Sequence, residues 1–130
     1  MIQSIYNLTV RGYELDSFGH VNNAVYLQYA ESAKWDFFYK SGCIEQMKKL
    51  ELFPVILENN IRYIHELHLM DEVEIKTEFT CSVGIIRFRH IIKNTATNQT
   101  VCRITGKLAY VDKERIICDI PEEIRELIGG

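Results

Sequence analysis

The strongest constraint on the fold is a change of period along the chain. From Val21 to about Lys40, apolar residues recur at spacings of three and four, putting Tyr26, Tyr29, Ala30, Ala33 and Phe37 on one helix face. Val25, Leu27 and Phe38 lie elsewhere on the cylinder, so the helix is expected to be enclosed rather than laid on a surface. Asn22 or Asn23 suits its N-cap, and Ser41-Gly42 suits its stop. A short second helix is expected from about Ile44 to Leu50. After that the period becomes two. "ILENNIRYIHEL" puts Leu57, Asn59, Ile61, Tyr63 and His65 on one face. "EVEIKTEFTCSV" sets Val73, Ile75, Thr77, Phe79 and Cys81 against a row of charged and polar residues. "IIRFRHII" and "VCRITGKLAYV" alternate in the same way, with Phe88, His90, Ile104, Gly106 and Leu108 on the apolar side.

Ser82-Val83-Gly84 and Thr97-Asn98 punctuate these runs as tight turns. "IYNLTVRGY" at the start adds a strand, and Pro121 is placed as the N1 proline of a last short helix, "EEIREL". No strand-helix-strand alternation occurs, which excludes a doubly wound parallel sheet. One face of the sheet needs a cover, and only the long helix is large enough. The expected fold is α+β: an antiparallel five-stranded sheet wrapped around one long central helix, the hot-dog architecture. Gly106, within a strand on its apolar face, fits close approach of that helix. Residues 1–130 are expected to form a single domain.

Composition excludes several classes. The net charge of −3 gives no polycationic surface for nucleic acid. No apolar run approaches the roughly 20 residues that span a bilayer, and the N-terminus lacks a basic, then apolar, leader. The expected location is cytoplasmic, with no membrane partner. The four cysteines, Cys43, Cys81, Cys102 and Cys118, form no C-x-x-C pair and read as small buried apolar groups.

The stretch "ELDSFGHVNNAVYL", Glu14 to Leu27, is richer than a turn requires. With its flanks, "VRGYELDSFGHVNNAVYLQYAESAKWDF" resembles the opening motif of the 4-hydroxybenzoyl-CoA thioesterase-like hot-dog hydrolases, and in particular their long-chain acyl-CoA thioesterase branch. "VDKERIICDIP" resembles the family's last strand. The resemblance implies a cytoplasmic, cofactor-free acyl-CoA thioesterase of lipid metabolism, assembled as a homodimer or homotetramer. It implies Asp16 as the catalytic acid residue, attacking the thioester or taking a proton from water. An acyl-carrier-protein substrate, or a non-catalytic module that binds an acyl ligand, are the alternatives.

Chemistry fits that motif. Thioester hydrolysis needs an activated water or nucleophile and a stabiliser for the developing oxyanion. The unpaired N–H groups at a helix start supply the latter, here near Asn22 and Asn23. Asn23 and His20 therefore join Asp16 as catalytic candidates, with Gly19, Asn22, Tyr26 and Glu31 as substrate-binding candidates. For Glu31, an unusual carboxylate inside an aromatic helix, pairing with a Lys or Arg is the reading the residue itself favours. The aromatics Tyr26, Tyr29, Trp35, Phe37 and Phe38 offer apolar lining for an acyl chain. "HELH", His65 to His68, is not the helical zinc motif; on a strand its histidines face opposite sides, so no metal is expected there. Arg87, Arg89, Arg103 and Lys107 fall on polar strand faces, as a solvated surface or a grip for coenzyme A phosphates.

Overall fold

The computed structural model describes residues 3–129. In chain order these form β1 (Gln3–Thr9), a 3₁₀ turn (Gly12–Glu14), α1 (Asn23–Lys40), α2 (Cys43–Leu50), β2 (Phe53–Tyr63), β3 (Glu72–Cys81), β4 (Ile86–Asn94), β5 (Gln99–Val111), β6 (Ile117–Cys118) and α3 (Glu122–Leu127). The sheet is antiparallel in the order β1-β3-β4-β5-β2, with the two-residue β6 on β5 as a sixth strand that the alternation does not reveal. α1 lies on the sheet, so the hot-dog expectation holds.

The period-two faces turn inward as their patterns require. Val73, Ile75 and Phe79 of β3, Ile86 and Ile92 of β4, and Ile104 and Leu108 of β5 are fully buried. They meet Tyr26, Tyr29, Ala30, Ala33, Phe37 and Phe38 of α1. Phe79 stacks on Phe38 with ring centroids 5.4 Å apart. Thr77 and His90 are polar residues within this interior: Thr77 Oγ1 lies 2.7 Å from His90 Nδ1, so each satisfies the other across the β3–β4 pair. Cys43 and Cys102 are buried and Cys81 and Cys118 half-buried, all as free thiols.

Four local expectations are corrected. In this chain α1 is buried on one side only, and Trp35 and Tyr39 stand exposed on the other. A bulge between Ile56 and Glu58 shifts the β2–β5 register, which removes Leu57 from the face it would share with Asn59 and leaves it exposed. Gly106 does not make room for the helix. A Cβ there would stand 2.0 Å from the Glu58 carbonyl oxygen and 2.5 Å from Phe88 Cζ, so it is the neighbouring strands that need the glycine. Pro121 is the N-cap of α3 rather than its first residue; its carbonyl accepts from Arg125 N at 2.9 Å.

Candidate active site

The loop that delivers the chain into α1 is built on a buried acid. Glu14 accepts from Arg11 N at 2.8 Å, from Arg11 Nε at 2.9 Å and from the Tyr29 hydroxyl at 2.8 Å. Burial pushes the Glu14 carboxyl up, but the Arg11 and Tyr29 hydrogen bonds outweigh it and hold the group below the ordinary glutamate value. Its carbonyl accepts from Asn22 N at 2.9 Å, so Glu14 fixes both ends of the segment that follows. Within that segment Leu15 bridges Val21, and Asp16 N donates to the His20 carbonyl at 2.7 Å. Gly19 closes the turn at φ +80°, a left-handed conformation that suits glycine.

Asp16 Oδ1 accepts from Phe18 N at 2.8 Å and from His20 N at 3.1 Å, an Asx-type turn. Oδ2 has no such partner among the described residues. The carboxylate thus has one oxygen committed to the loop and one available. Asp16 lines a cavity of about 260 Å³ together with His20, Val21, Asn23, Tyr26, Tyr63, Ile64, His65 and Glu66. Three catalytic candidates, Asp16, His20 and Asn23, therefore meet in one space, with Tyr26 beside them. Tyr26 is buried, and burial pushes its phenol up to about 12. Gly19 and Asn22 shape the cavity from outside its lining, Gly19 as the turn and Asn22 as the N-cap.

The start of α1 is economically satisfied. Asn22 Oδ1 accepts from Ala24 N at 3.0 Å, and the Asn22 carbonyl accepts from Val25 N at 2.9 Å. The Asn23 N–H is left without an acceptor among the described residues, at the cavity wall. The Asn23 carbonyl accepts from the Tyr63 hydroxyl at 3.0 Å, which ties the helix start to the end of β2.

The opposite wall, Tyr63 to Glu66, is the part that sequence patterning misses. β2 ends at Tyr63, so "HELH" is loop rather than strand. His20 Nε2 lies 3.1 Å from Glu66 Oε2. His20 and His68 form an isolated β-bridge, and their rings meet edge-on with centroids 5.0 Å apart. Long-range contacts bring these segments together, the His20–His68 bridge and the Val21 N hydrogen bond to the Leu67 carbonyl among them, and no local pattern encodes them.

Glu31 is not in this cavity. It pairs with Lys34 Nζ at 2.9 Å, accepts from Trp35 Nε1 at 3.2 Å, and lines a separate space of about 170 Å³ with Lys34, Asn59 and His90. Of the five aromatics expected as acyl lining, only Tyr26 reaches the Asp16 cavity. Tyr29, Phe37 and Phe38 are core, and Trp35 borders an apolar cavity of about 350 Å³ with Met47, Phe53 and Pro54. Arg89 and Arg103 line a groove on the outer sheet face, where Arg89 pairs with Glu78 at 2.7 Å.

Comparisons with known proteins give the chain's family. A family model described as the Thioesterase-like superfamily matches residues 10–128. The chain belongs to that superfamily. Among thioesterase relatives, the acyl-acyl carrier protein thioesterase ATL3 of Arabidopsis thaliana is 31% identical over 121 residues, covering 91% of this chain and 63% of ATL3. The long-chain acyl-CoA thioesterase FadM of Escherichia coli is 37% identical over 71 residues, covering 55% of this chain and 54% of FadM. The matched regions thus span less than two thirds of either relative's length. Among solved structures, the probable thioesterase YbaW from Escherichia coli superposes with a TM-score of 0.86 at 27% identity, over 95% of this chain and 94% of that one. A 1,4-dihydroxy-2-naphthoyl-CoA thioesterase from Synechocystis shares the fold, with a TM-score of 0.88 at 15% identity over 98% and 96% of the two chains.

Proposed function

We propose that this chain hydrolyses acyl-CoA thioesters to the free acid and coenzyme A. One observation carries the reading: a carboxylate with a free oxygen, Asp16, shares a cavity with the unpaired N–H at the start of α1. With the thioester carbonyl oxygen at the Asn23 N–H, the developing negative charge meets a backbone donor at the positive end of the helix dipole. Asp16 Oδ2 takes a proton from water, and the water oxygen bonds to the carbonyl carbon. The tetrahedral intermediate then collapses, the carbon–sulfur bond breaks, and the thiolate leaves as the proton passes back to it. Direct attack by Asp16, giving an anhydride that water cleaves, uses the same oxygen. His20, held 3.1 Å from Glu66, lines the same cavity.

A second carrier is favoured by a specific likeness: two Arabidopsis acyl-acyl carrier protein thioesterases align with 91% and 94% of this chain. A thiol-release assay over acyl-CoA and acyl-carrier-protein substrates separates the carriers. Val21, Tyr26 and Ile64 give the Asp16 cavity apolar wall for the first carbons of an acyl chain, so kcat/KM should rise over the shortest acyl groups, at about 0.8 kcal/mol per buried methylene. Saturable acyl-CoA binding with no thiol release would replace the enzyme by an acyl-binding module.

The expected working unit is a homodimer or homotetramer, acting in the cytoplasm. Assembly is supported by the outer edge of β2, which has no partner strand among the described residues, and by Trp35 and Tyr39 exposed on α1. Light scattering that finds a monomer of full activity overturns this.

A further inference from the structure

We propose that His20, Glu66 and His68 form a Zn²⁺ site at the mouth of the Asp16 cavity. The proposal rests on side-chain geometry alone and stands whether or not the chain is a thioesterase. One imidazole nitrogen from each histidine and one Glu66 oxygen all lie within 4.8 Å of one another. His20 Nε2 and Glu66 Oε2 are already 3.1 Å apart, close to the roughly 3.3 Å between ligand atoms on a tetrahedral ion with bonds of about 2.0–2.1 Å. His68 is exposed, so its ring is free to close the remaining distance.

The backbone holds these residues in place. His20 and His68 are directly opposed across a β-bridge, which puts their Cβ atoms about 5 Å apart and their rings on the same side. Asp16 Oδ1 accepts from His20 N at 3.1 Å, Asp71 Oδ2 accepts from His68 N at 2.8 Å, and the Leu67 carbonyl accepts from Val21 N at 2.9 Å. The backbone is thereby held at His20 and His68, and the freedom left to lose on binding is that of the exposed His68 and Glu66 side chains. Asp71 Oδ2 lies 3.8 Å from His68 Nδ1, beyond hydrogen-bond distance, and places a negative charge beside that ring. Two imidazoles and one carboxylate suit Zn²⁺ and not Mg²⁺, which prefers oxygen donors in an octahedron. Three protein ligands leave the fourth position to water or to an anionic group in the cavity.

The site escapes motif reading because its ligands come from two loops separated in sequence. "HELH" supplies two of them, Glu66 and His68, but the third is His20.

The test is Zn²⁺ titration of the EDTA-treated full chain by calorimetry and thermal melting, with Mg²⁺ as the control. The expected result is one Zn²⁺ per chain and a melting temperature raised by roughly 5–10 °C at a hundredfold excess over Kd, with no response to Mg²⁺. His68→Ala should weaken binding at least tenfold, and Glu66→Gln should do the same. A Cys81→Ser, Cys118→Ser double variant should bind as the wild type does. Equal Zn²⁺ affinity in wild type and His68→Ala overturns the proposal, as does binding that disappears with the two cysteines or no binding at 100-micromolar Zn²⁺.

Discussion

The Tyr29 hydroxyl donates a 2.8 Å hydrogen bond to Glu14 Oε1, and both side chains are buried. This one contact links the middle of α1 to the loop that carries Asp16. Its geometry holds the Tyr29 phenol well above its ordinary value, through burial first and the Glu14 hydrogen bond second. Tyr29→Phe removes the donor without changing the core volume. We expect a loss of about 1–2 kcal/mol in urea unfolding. An unchanged midpoint would show that the Tyr29 hydrogen bond adds nothing to the hold on the loop.

Acid should destabilise the protein in two stages. Burial, followed by the charge of Lys34, pushes the His90 imidazole down to about 4, whereas an unfolded histidine titrates near 6.5. Between those values the unfolded chain binds a proton that the folded chain refuses, so stability falls as the pH falls. The full effect is on the order of 3 kcal/mol. Glu14 has the opposite origin, a carboxyl held below its ordinary value. Its contribution is present above the unfolded carboxyl pKa and is lost as pH drops through the folded one. His90→Asn should flatten the melting profile from pH 6.5 to 4 and leave the more acidic limb in place. An equally steep profile in that variant would move the titration elsewhere.

Asp16 carries both the turn and the proposed chemistry, and two substitutions should separate them. Asparagine keeps an Oδ1 that accepts from Phe18 N and His20 N, so Asp16→Asn should melt close to the wild type. It loses the basic oxygen, so kcat should fall by roughly 10²–10⁴-fold with KM within a few-fold. Asp16→Ala should lose the same activity and about 1 kcal/mol of stability besides. Retained kcat in Asp16→Asn would reduce the residue to a turn former.

Gly106→Ala tests the bulge. The added carbon meets the Glu58 carbonyl at 2.0 Å, a backbone atom that cannot swing aside. The β2–β5 pairing must shift, at a cost of roughly 2–3 kcal/mol. Because Phe88 also contacts that position, Phe88→Leu in the same chain should recover only part of the loss. Complete recovery would put the strain on the ring instead of the bulge.

The parts of the fold readable from sequence are those where one face is buried along a whole element. β3, β4 and β5 alternate because charged residues sit opposite Val73, Ile75, Phe79, Ile104 and Leu108, and a slip of one residue would bury those charges. β2 is harder, since the bulge at Leu57 changes its parity midway and its free edge relaxes the demand for pattern. β6 is too short for any period. At the site, Asn22 announces itself as a cap through residue type and position, and Asp16 through its motif. Tyr63, Ile64, His65 and Glu66 do not, because the bridge between His20 and His68 that sets them opposite Asp16 is a long-range event. Glu31 was legible as an ion-pair partner because a lysine follows three residues later on the same helix.

Pro54 stands near the start of β2, opposite Tyr110, on the outermost strand of the sheet. A proline has no N–H to offer, and on an edge that gap faces outward. A few residues later the Leu57 bulge bends the same rail. Any chain that tries to lengthen this sheet by backbone pairing meets an interrupted template from Pro54 to Glu58, and a regular one only from Asn59 to Tyr63. Runaway stacking of the kind that builds fibrils needs a long, straight template, and this edge is broken for half its length. The half that can still accept a strand ends at Tyr63, on the wall of the Asp16 cavity.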